Sequence, residues 1–512
     1  MGGAINETNM DRRFTYIVVF LVLLFLPEQG NSFGQVFQAS GFKIVNVDAT
    51  TATIWTRVTQ HSDANPSNGP LPIIDAIDRS TYKPVTLREN RSYSNVDVLV
   101  KMPSGLTLNE ARGGAPAESG QTRVRYRIKG SSNWKDTSWQ NTYLPHDGIG
   151  IHKLTDLSPG SSYELLVEAR SGSDDSDFCR QVGEFETTPL PGQHPPVTFT
   201  VMTCQQYEHQ DRPDGFAIYA AMAELKPDFF VNTGDAVYYD HGPVIALNPA
   251  LARYHWARIF ALPSLRKFHS QVSSYFMKDD HDVLSNDCGP DDQSGELTYA
   301  TGVNIFREQT GLPNISYRTF QWGRDLQIWL MEGRDYRTPN WKESSSSAPT
   351  LWGPEQIKWL QNTLAASTAT FRVVITTVPI IGPDRDNKAD NYANSAFIVE
   401  GTEIRRLLGQ YANLTVITGD RHWQYVSVDP NSSLMEWSMG PASDAHAGGW
   451  DETTPRPEHR FLRTGHGGFL SAKIQPEESA TSLILSLHDV DGRVVYREEK
   501  SAHLSLGLVG NN

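Results

Sequence analysis

The chain has 512 residues, 38% apolar and 20% charged, the composition of a soluble globular protein. That length exceeds one ordinary core and predicts two domains. The net charge of -14 argues against a nucleic-acid backbone as the main partner, because neutralising phosphates needs a basic face, whereas acidity suits a protein that gathers divalent cations.

The N-terminus has the layout of a secretory signal over residues 1–32. Arg12 and Arg13 precede a 13-residue apolar run from Phe14 to Leu26, followed by Pro27 and the small-residue site Gly30-Asn31-Ser32. The run is short for a membrane span. Cleavage near Ser32 and export to the periplasm or the extracellular space are therefore expected, with an uncleaved anchor as the other reading. No second apolar stretch approaches spanning length.

Residues 33–190 read as all-β. Residues 52–58 and 123–128 alternate apolar and polar side chains, the mark of half-buried strands. Around the Pro159-Gly160 turn, Tyr163, Leu165 and Val167 fall on one face and resemble a fibronectin type III strand corner. A β-sandwich is predicted, with Trp55 and Tyr163 in its core and residues 102–120 as a surface insertion. The Pro-rich stretch 189–196 then reads as a short stiff linker.

From residue 197 to about 505 strands alternate with helical patterns at 215–225, 249–261, 354–366 and 402–412, which predicts an α/β domain. The end returns to β at 469–474, 482–488 and 494–497, with Asp491-Gly492 as a hairpin turn. Cys179, Cys204 and Cys288 are too few for a disulfide framework.

Four apolar runs in this second region end in metal-ligand residue types. Residues 198–203 lead to Cys204, and 228–233 to Gly234-Asp235 with Tyr238 three positions on. Residues 274–277 lead to Asp279-Asp280-His281-Asp282, and 414–418 to Gly419-Asp420-Arg421-His422. Open α/β sheets bind ligands at the carboxyl ends of their strands, and Cys, Asp, His and Tyr ligate metals. Four such ends in one domain predict a metal centre.

The order Cys, Gly-Asp-x-x-Tyr, Asp-Asp-His-Asp, Gly-Asp-x-His resembles the calcineurin-like metallophosphoesterases, and most closely the PhoD-type alkaline phosphatases. Cys204 stands at that superfamily's first aspartate, Asp280 at its asparagine, and Asp420 at the first histidine of its last motif. Gly234 to Tyr238 is also similar to the iron-ligating tyrosine motif of purple acid phosphatases. The superfamily's isolated histidine is absent, since residues 373–379 occupy its place. The resemblance implies a four-layer αββα catalytic domain over 197–505, behind a fibronectin III-like sandwich.

It also implies two metal sites bridged by Asp235. Cys204, Tyr238 and His422 complete the first, whose thiolate and phenolate suit Fe3+. Asp280 and Asp420 serve the second, where oxygen donors suit Ca2+, Mg2+ or Mn2+ better than zinc. Ca2+ is the expected second ion. His281 is expected either to protonate the leaving alkoxide or to hold a phosphoryl oxygen, with Asp282 orienting its ring. Arg334 and Arg337 offer guanidinium forks for phosphate, with structural pairing as the other reading of Arg334. Asn286 lines the site or forms a loop turn, and His446 and Trp450 contact substrate or pack their loop.

The leading expectation is a secreted metal-dependent phosphohydrolase of phosphate mono- or diesters, acting at alkaline pH with a metal-bridging hydroxide. The alternatives are a phosphodiesterase on lipid headgroups or wall polymers, and an inactive adhesion or matrix-binding protein. The ligand-position substitutions keep metal-binding chemistry, which weighs against the last.

Overall fold

The computed structural model describes Met1 and residues 35–503, apart from 104, 173–177, 315 and 341–347. The expected signal segment falls outside the described residues except for Met1. Among the described residues no helix is long and apolar enough to cross a membrane.

Two large sheets dominate a mixed α/β fold. The seven-stranded sheet runs Arg318–Trp322, Leu326–Leu330, Phe371–Thr376, Leu414–Thr418, Met435–Met439, Gln424–Val428, His459–Arg463. The nine-stranded sheet runs Val494–His503, Ala480–His488, Phe469–Pro476, Val197–Met202, Phe229–Asn232, Ser273–Phe276, Phe42–Val45, Ala52–Arg57, Ile149–Leu154. Their central strands are parallel and read as nearly unbroken apolar runs, as strands covered on both faces must. One core joins the facing side chains of both sheets, including Phe199, Val231, Ile328, Val373 and Ile417.

Helices cover the remaining faces. Ala217–Glu224, Pro249–Phe260, Pro263–His269 and Tyr299–Thr310 contribute to one core, and Gly353–Ala366 with Ile398–Leu408 to another. Three of the four expected helices form within one or two residues of their expected bounds, whereas the fourth starts at Ile398 and stops at Leu408, four residues early at each end. The patterning missed Pro263–His269 and Tyr299–Thr310. The first is short and begins at a proline, and the second is rich in Thr, Asn and Gly, which are weak helix formers.

From Gln35 onward the chain forms one compact unit. Strands on both sides of the 189–196 stretch share the nine-stranded sheet, through a parallel pairing of Val45 with Ser274. Its strands Phe42–Val45, Ala52–Arg57 and Ile149–Leu154 also cover a five-stranded antiparallel sheet containing Gly120–Ile128, Ser162–Arg170 and Cys179–Glu186. Between them Phe42, Ile44, Ile54, Val124, Tyr163, Leu165 and Val167 form a core. Trp55 is also buried, but its indole N–H donates to the Glu308 carbonyl at 2.9 Å, on the side of helix Tyr299–Thr310. Residues 102–120 are not wholly superficial, because Ala111 and Ala115 are buried and Ala115 packs on Ala257 and Ala261. All three cysteines are free thiols.

Asp228 opens the strand that leads to Asp235. Its carboxylate accepts the Thr198 N–H at 2.7 Å, tying two central strands at their starts. Burial lifts its pKa from 3.8 to about 6, against that hydrogen bond. A carboxyl group with a raised folded pKa adds a penalty that grows as pH rises from about 4 to 6 and is complete above. Asp228→Asn keeps an acceptor and removes the charge. It should therefore be more stable than wild type at pH 8, by about 1–2 kcal/mol, and equal to it at pH 3.5, as read from denaturant midpoints.

Candidate metal centre

The candidate metal-ligand side chains leave their strands through backbone that few residues adopt. Cys204, Asp235 and Asp420 all have left-handed φ, at 55°, 56° and 60°. Such conformations cost about 1–3 kcal/mol and persist only when the surroundings hold them. Here the turns hold one another: Gln205 N–H donates to the Asp235 carbonyl at 2.9 Å, and Asp420 N–H to Thr203 Oγ1 at 3.1 Å. A parallel bridge between Thr203 and Pro441 joins the two sheets at the same place. Gly234 (φ 108°) and Gly419 let these turns approach, since a Cβ would lie 2.6 Å from Asp279 Cβ and 2.5 Å from Thr233 Oγ1 respectively.

Asp235 is the common member of three ligand clusters, each with donor atoms within 4.8 Å of one another: Cys204 with His422, Asp280 with His281, and Asp279 with Asp420. Its Oδ2 accepts from Cys204 Sγ at 3.3 Å and from Tyr238 Oη at 3.1 Å, and Tyr238 Oη lies 3.5 Å from His422 Nε2. Thus Cys204, Asp235, Tyr238 and His422 lie together at the strand ends. The oxygen-rich side differs in detail. Asp420 groups with Asp279, whereas Asp280 groups with His281.

The charges fit bound cations. Asp235 Oδ1 and Asp279 Oδ2 are buried without a hydrogen-bond partner. Burial, reinforced by the Asp235 and Asp420 carboxylates, pushes the Cys204 thiol well above its ordinary range. Burial, Asp235 and Cys204 do the same to the Tyr238 phenol. A cation would reverse both shifts, since a coordinating thiol is deprotonated outright. Burial, with His446, His281 and Arg421 nearby, holds His422 well below its usual range, hence neutral and free to ligate.

His281 is oriented by Asp240, not by Asp282. Asp240 Oδ1 meets His281 Nδ1 at 2.6 Å, leaving Nε2 towards Asp280 Oδ1 at 3.9 Å. Burial disfavours a charged ring, but the carboxylates of Asp240, Asp280 and Asp235 outweigh it and raise the His281 pKa well above usual. Asp240 also accepts from His241 Nδ1 at 3.0 Å and from the Asn286 N–H at 2.8 Å, so Asn286 enters the site through its backbone. Asp282 instead accepts three buried N–H groups, of Asp235 (2.7 Å), Val237 (3.1 Å) and Asp279 (2.9 Å). It braces the loops that present the ligands.

The two arginines part company. Arg334 is fully buried, bonded through Nε to Asp279 Oδ1, with Nη2 at 3.3 Å from Asp280. Burial opposes the Asp280 charge, yet Arg334 and His281 hold its pKa down at about 2. Arg337 donates through Nη2 to Asn340, while its buried Nε and Nη1 have no partner. On the other side Arg421 pairs with Asp420 and with Asp384 at 2.6 Å, and Lys388 lies 3.4 Å from Asp287 and 3.5 Å from Asp390. His446 Nδ1 lies 3.2 Å from the Cys204 carbonyl and its ring 4.1 Å from that of His422. Trp450 packs on Trp423, with ring centres 5.6 Å apart.

Asp240 and Asp279 were missed by the sequence reading. Asp240 follows Tyr238-Tyr239, just outside one motif, whereas Asp279 opens the Asp-Asp-His-Asp motif and differs from its neighbours only in being given no role there. Asp282→Ala should leave three buried backbone donors unpaired, each worth about 1–3 kcal/mol. Denaturant unfolding should show a loss of at least about 3 kcal/mol together with weaker metal retention, and Asp282→Asn should recover part of both.

Residues 199–450 match the family described as PhoD-like phosphatase. The chain is 27% identical over 299 residues to alkaline phosphatase D of Bacillus subtilis (strain 168), covering 48% of this chain and 49% of that protein. It thus spans about half the length of the curated relative it matches. Among solved structures, PhoD superposes with a TM-score of 0.64 at 16% identity, over 91% of this chain and 88% of that one. The purple acid phosphatase PPD1 from yellow lupin (Lupinus luteus) seeds gives 0.54 at 12% identity, over 87% and 79%. Both share this fold.

Proposed function

We propose that this chain is a PhoD-like phosphatase, and so a metal-dependent phosphoric ester hydrolase. One observation carries the reading: a single buried carboxylate, Asp235, is shared by three clusters of ligand atoms, with one of its oxygens unpartnered. A carboxylate so placed can serve two cations at once.

Cys204, Asp235, Tyr238 and His422 hold Fe3+ in this reading. Asp235, Asp280 and Asp420 hold Ca2+, or Mg2+ or Mn2+ in its place, with Asp279 as a further oxygen donor. When bound, two such ions activate water and neutralise charge on the phosphoryl oxygens. The protein's own part is orientation and proton supply. Asp240 fixes the His281 ring by Nδ1, so Nε2 is the atom that gives a proton to the departing alkoxide. Arg334 keeps Asp279 and Asp280 in position. Arg337, with free donors, binds the substrate's anionic oxygens, and Asn286, held on Asp240 by its backbone N–H, assists it.

The substrates are phosphate mono- or diesters, hydrolysed at alkaline pH outside the cytoplasm after removal of residues 1–32. Residues 33–190 are read as a fibronectin III-like sandwich and 197–505 as a four-layer αββα catalytic domain. Support for the latter comes from the core between the two sheets and the helices on their outer faces.

Asp235→Asn should abolish hydrolysis of chromogenic mono- and diesters and lower metal content, because an amide cannot neutralise two cations. Wild-type turnover in that variant would remove Asp235 from the centre. His281→Ala should keep its metals and lose about 10²–10⁴-fold in rate, with a smaller loss when the leaving group needs no proton. Equal losses on good and poor leaving groups would assign His281 to phosphoryl binding instead. A brief wash with a Ca2+-selective chelator should silence the enzyme and leave its iron in place. Added Ca2+ should restore activity, and zinc should do so poorly. A tyrosinate-to-iron colour should survive the wash and vanish in Tyr238→Phe. Two equivalents of zinc, no iron and no effect of the chelator would overturn this metal assignment.

A further inference from the structure

The small sheet Ile73–Asp78, Pro84–Val85, Val96–Lys101 belongs to the N-terminal part of the chain. Between its second and third strands, residues 86–95 leave the sheet and lie against the segments that surround Asp240. Leu87 and Tyr93 pack with Ala76, Val96, Ile245 and Leu247, which anchors both ends of the loop. Its tip then makes polar contacts on either side of the grip on His281. Asn90 N–H donates to the Asp240 carbonyl at 3.3 Å, and Glu89 Oε1 accepts the Gly242 N–H at 2.9 Å. Ser92 Oγ lies 2.6 Å from Ser285 Oγ, and Gly295 N–H donates to the Tyr93 carbonyl at 2.7 Å.

Three of those contacts, to Asp240, Gly242 and Ser285, fall on the two pieces of chain that Asp240 itself connects. Its carboxylate binds His281 Nδ1 and the Asn286 N–H, while its backbone lies in the irregular chain between strand Phe229–Asn232 and helix Pro249–Phe260. A carboxylate carried on such a segment is not held by a strand or a helix. A misplacement of about 1 Å in a reacting group can cost about 10²-fold in rate, so an external hold matters.

We infer that residues 86–95 are a strap that positions the proton donor, acting through Asp240, with Glu89 and Ser92 as its positioning residues. The inference rests on the reading of His281 as the group that protonates the leaving alkoxide. It makes part of the N-terminal region a working piece of the catalytic machinery, without contact to substrate or metal.

Both side chains are exposed, so the double variant Glu89→Ala/Ser92→Ala should fold. In the full chain with its metals, it should lose at least about tenfold in kcat on an alkyl phosphate, with a much smaller loss on p-nitrophenyl phosphate. KM, iron content and melting temperature should stay close to wild type. Ser92→Thr, which keeps the hydroxyl, should retain most of the rate when Glu89 is present. Equal losses on the two esters, or no loss, would overturn the strap, as would a drop in iron or melting temperature that accounts for the lost rate. A second variant with residues 88–92 replaced by Gly-Ser must show the same leaving-group contrast, and its absence there would also overturn the inference. His281→Ala, run alongside, separates the two ideas. If that variant itself lacks the contrast, the role given to His281 fails; if it shows the contrast and the strap variants do not, only the strap fails.

Discussion

Carboxylates buried side by side repel one another and have lost their water, so they remain charged only where cations stand between them. Asp235, Asp279, Asp280 and Asp420 are such a group, and the surrounding chain is organised around their compensation. Arg334 lies on Asp279 and Asp280, and Arg421 on Asp420, Asp384 and Asp390. Lys278 neutralises Glu332 and Asp335. What these pairs leave uncovered is Asp235 Oδ1 and Asp279 Oδ2.

Geometry follows from the same demand. Carboxylates and a thiol from different strands can converge only if each strand ends in a sharp turn, hence the left-handed φ of Cys204, Asp235 and Asp420 and the glycines beside the last two. The strain is tolerated because the turns are cross-linked by backbone hydrogen bonds and by Asp282, whose carboxylate is occupied by three N–H groups. A residue with the chemistry of a ligand thus acts as a brace, and its neighbour His281 is steered from a different loop.

Much of this centre was legible in the sequence because chemistry and secondary structure coincide there. Apolar runs ending in Cys204, Gly234-Asp235, Asp280 and Gly419-Asp420 announce strand ends, and strand ends in parallel sheets share an edge. What escaped notice lacks that coincidence. Asp240 lies in irregular chain, and its partner is fixed only by tertiary packing. Asp240 and Asp282 are the same residue type near the same histidine, so composition could not say which one holds the ring. Arg334 and Arg337 are likewise three positions apart and differ only in what each meets when buried. The loop at 86–95 has the Asn, Arg and Ser content of any surface turn, and nothing local reveals that it lies on Asp240. The parallel pairing of Val45 with Ser274 is similarly non-local, invisible to any window of alternating residues.

That pairing bears on how the molecule is assembled during synthesis. Phe42–Val45 is made early, yet its neighbour Ser273–Phe276 exists only after the intervening all-β region and two central strands have appeared. Closing so long a stretch of chain carries an entropic cost before any contact offsets it, so this junction belongs among the slow steps of folding. A fragment beginning at residue 197 would present Ser273–Phe276 as a bare, wholly buried-type strand at the sheet's edge, an invitation to pair with another chain. The N-terminal strands thus act as a built-in edge cover, and a cut between the two parts would expose a sticky margin rather than release two self-contained modules.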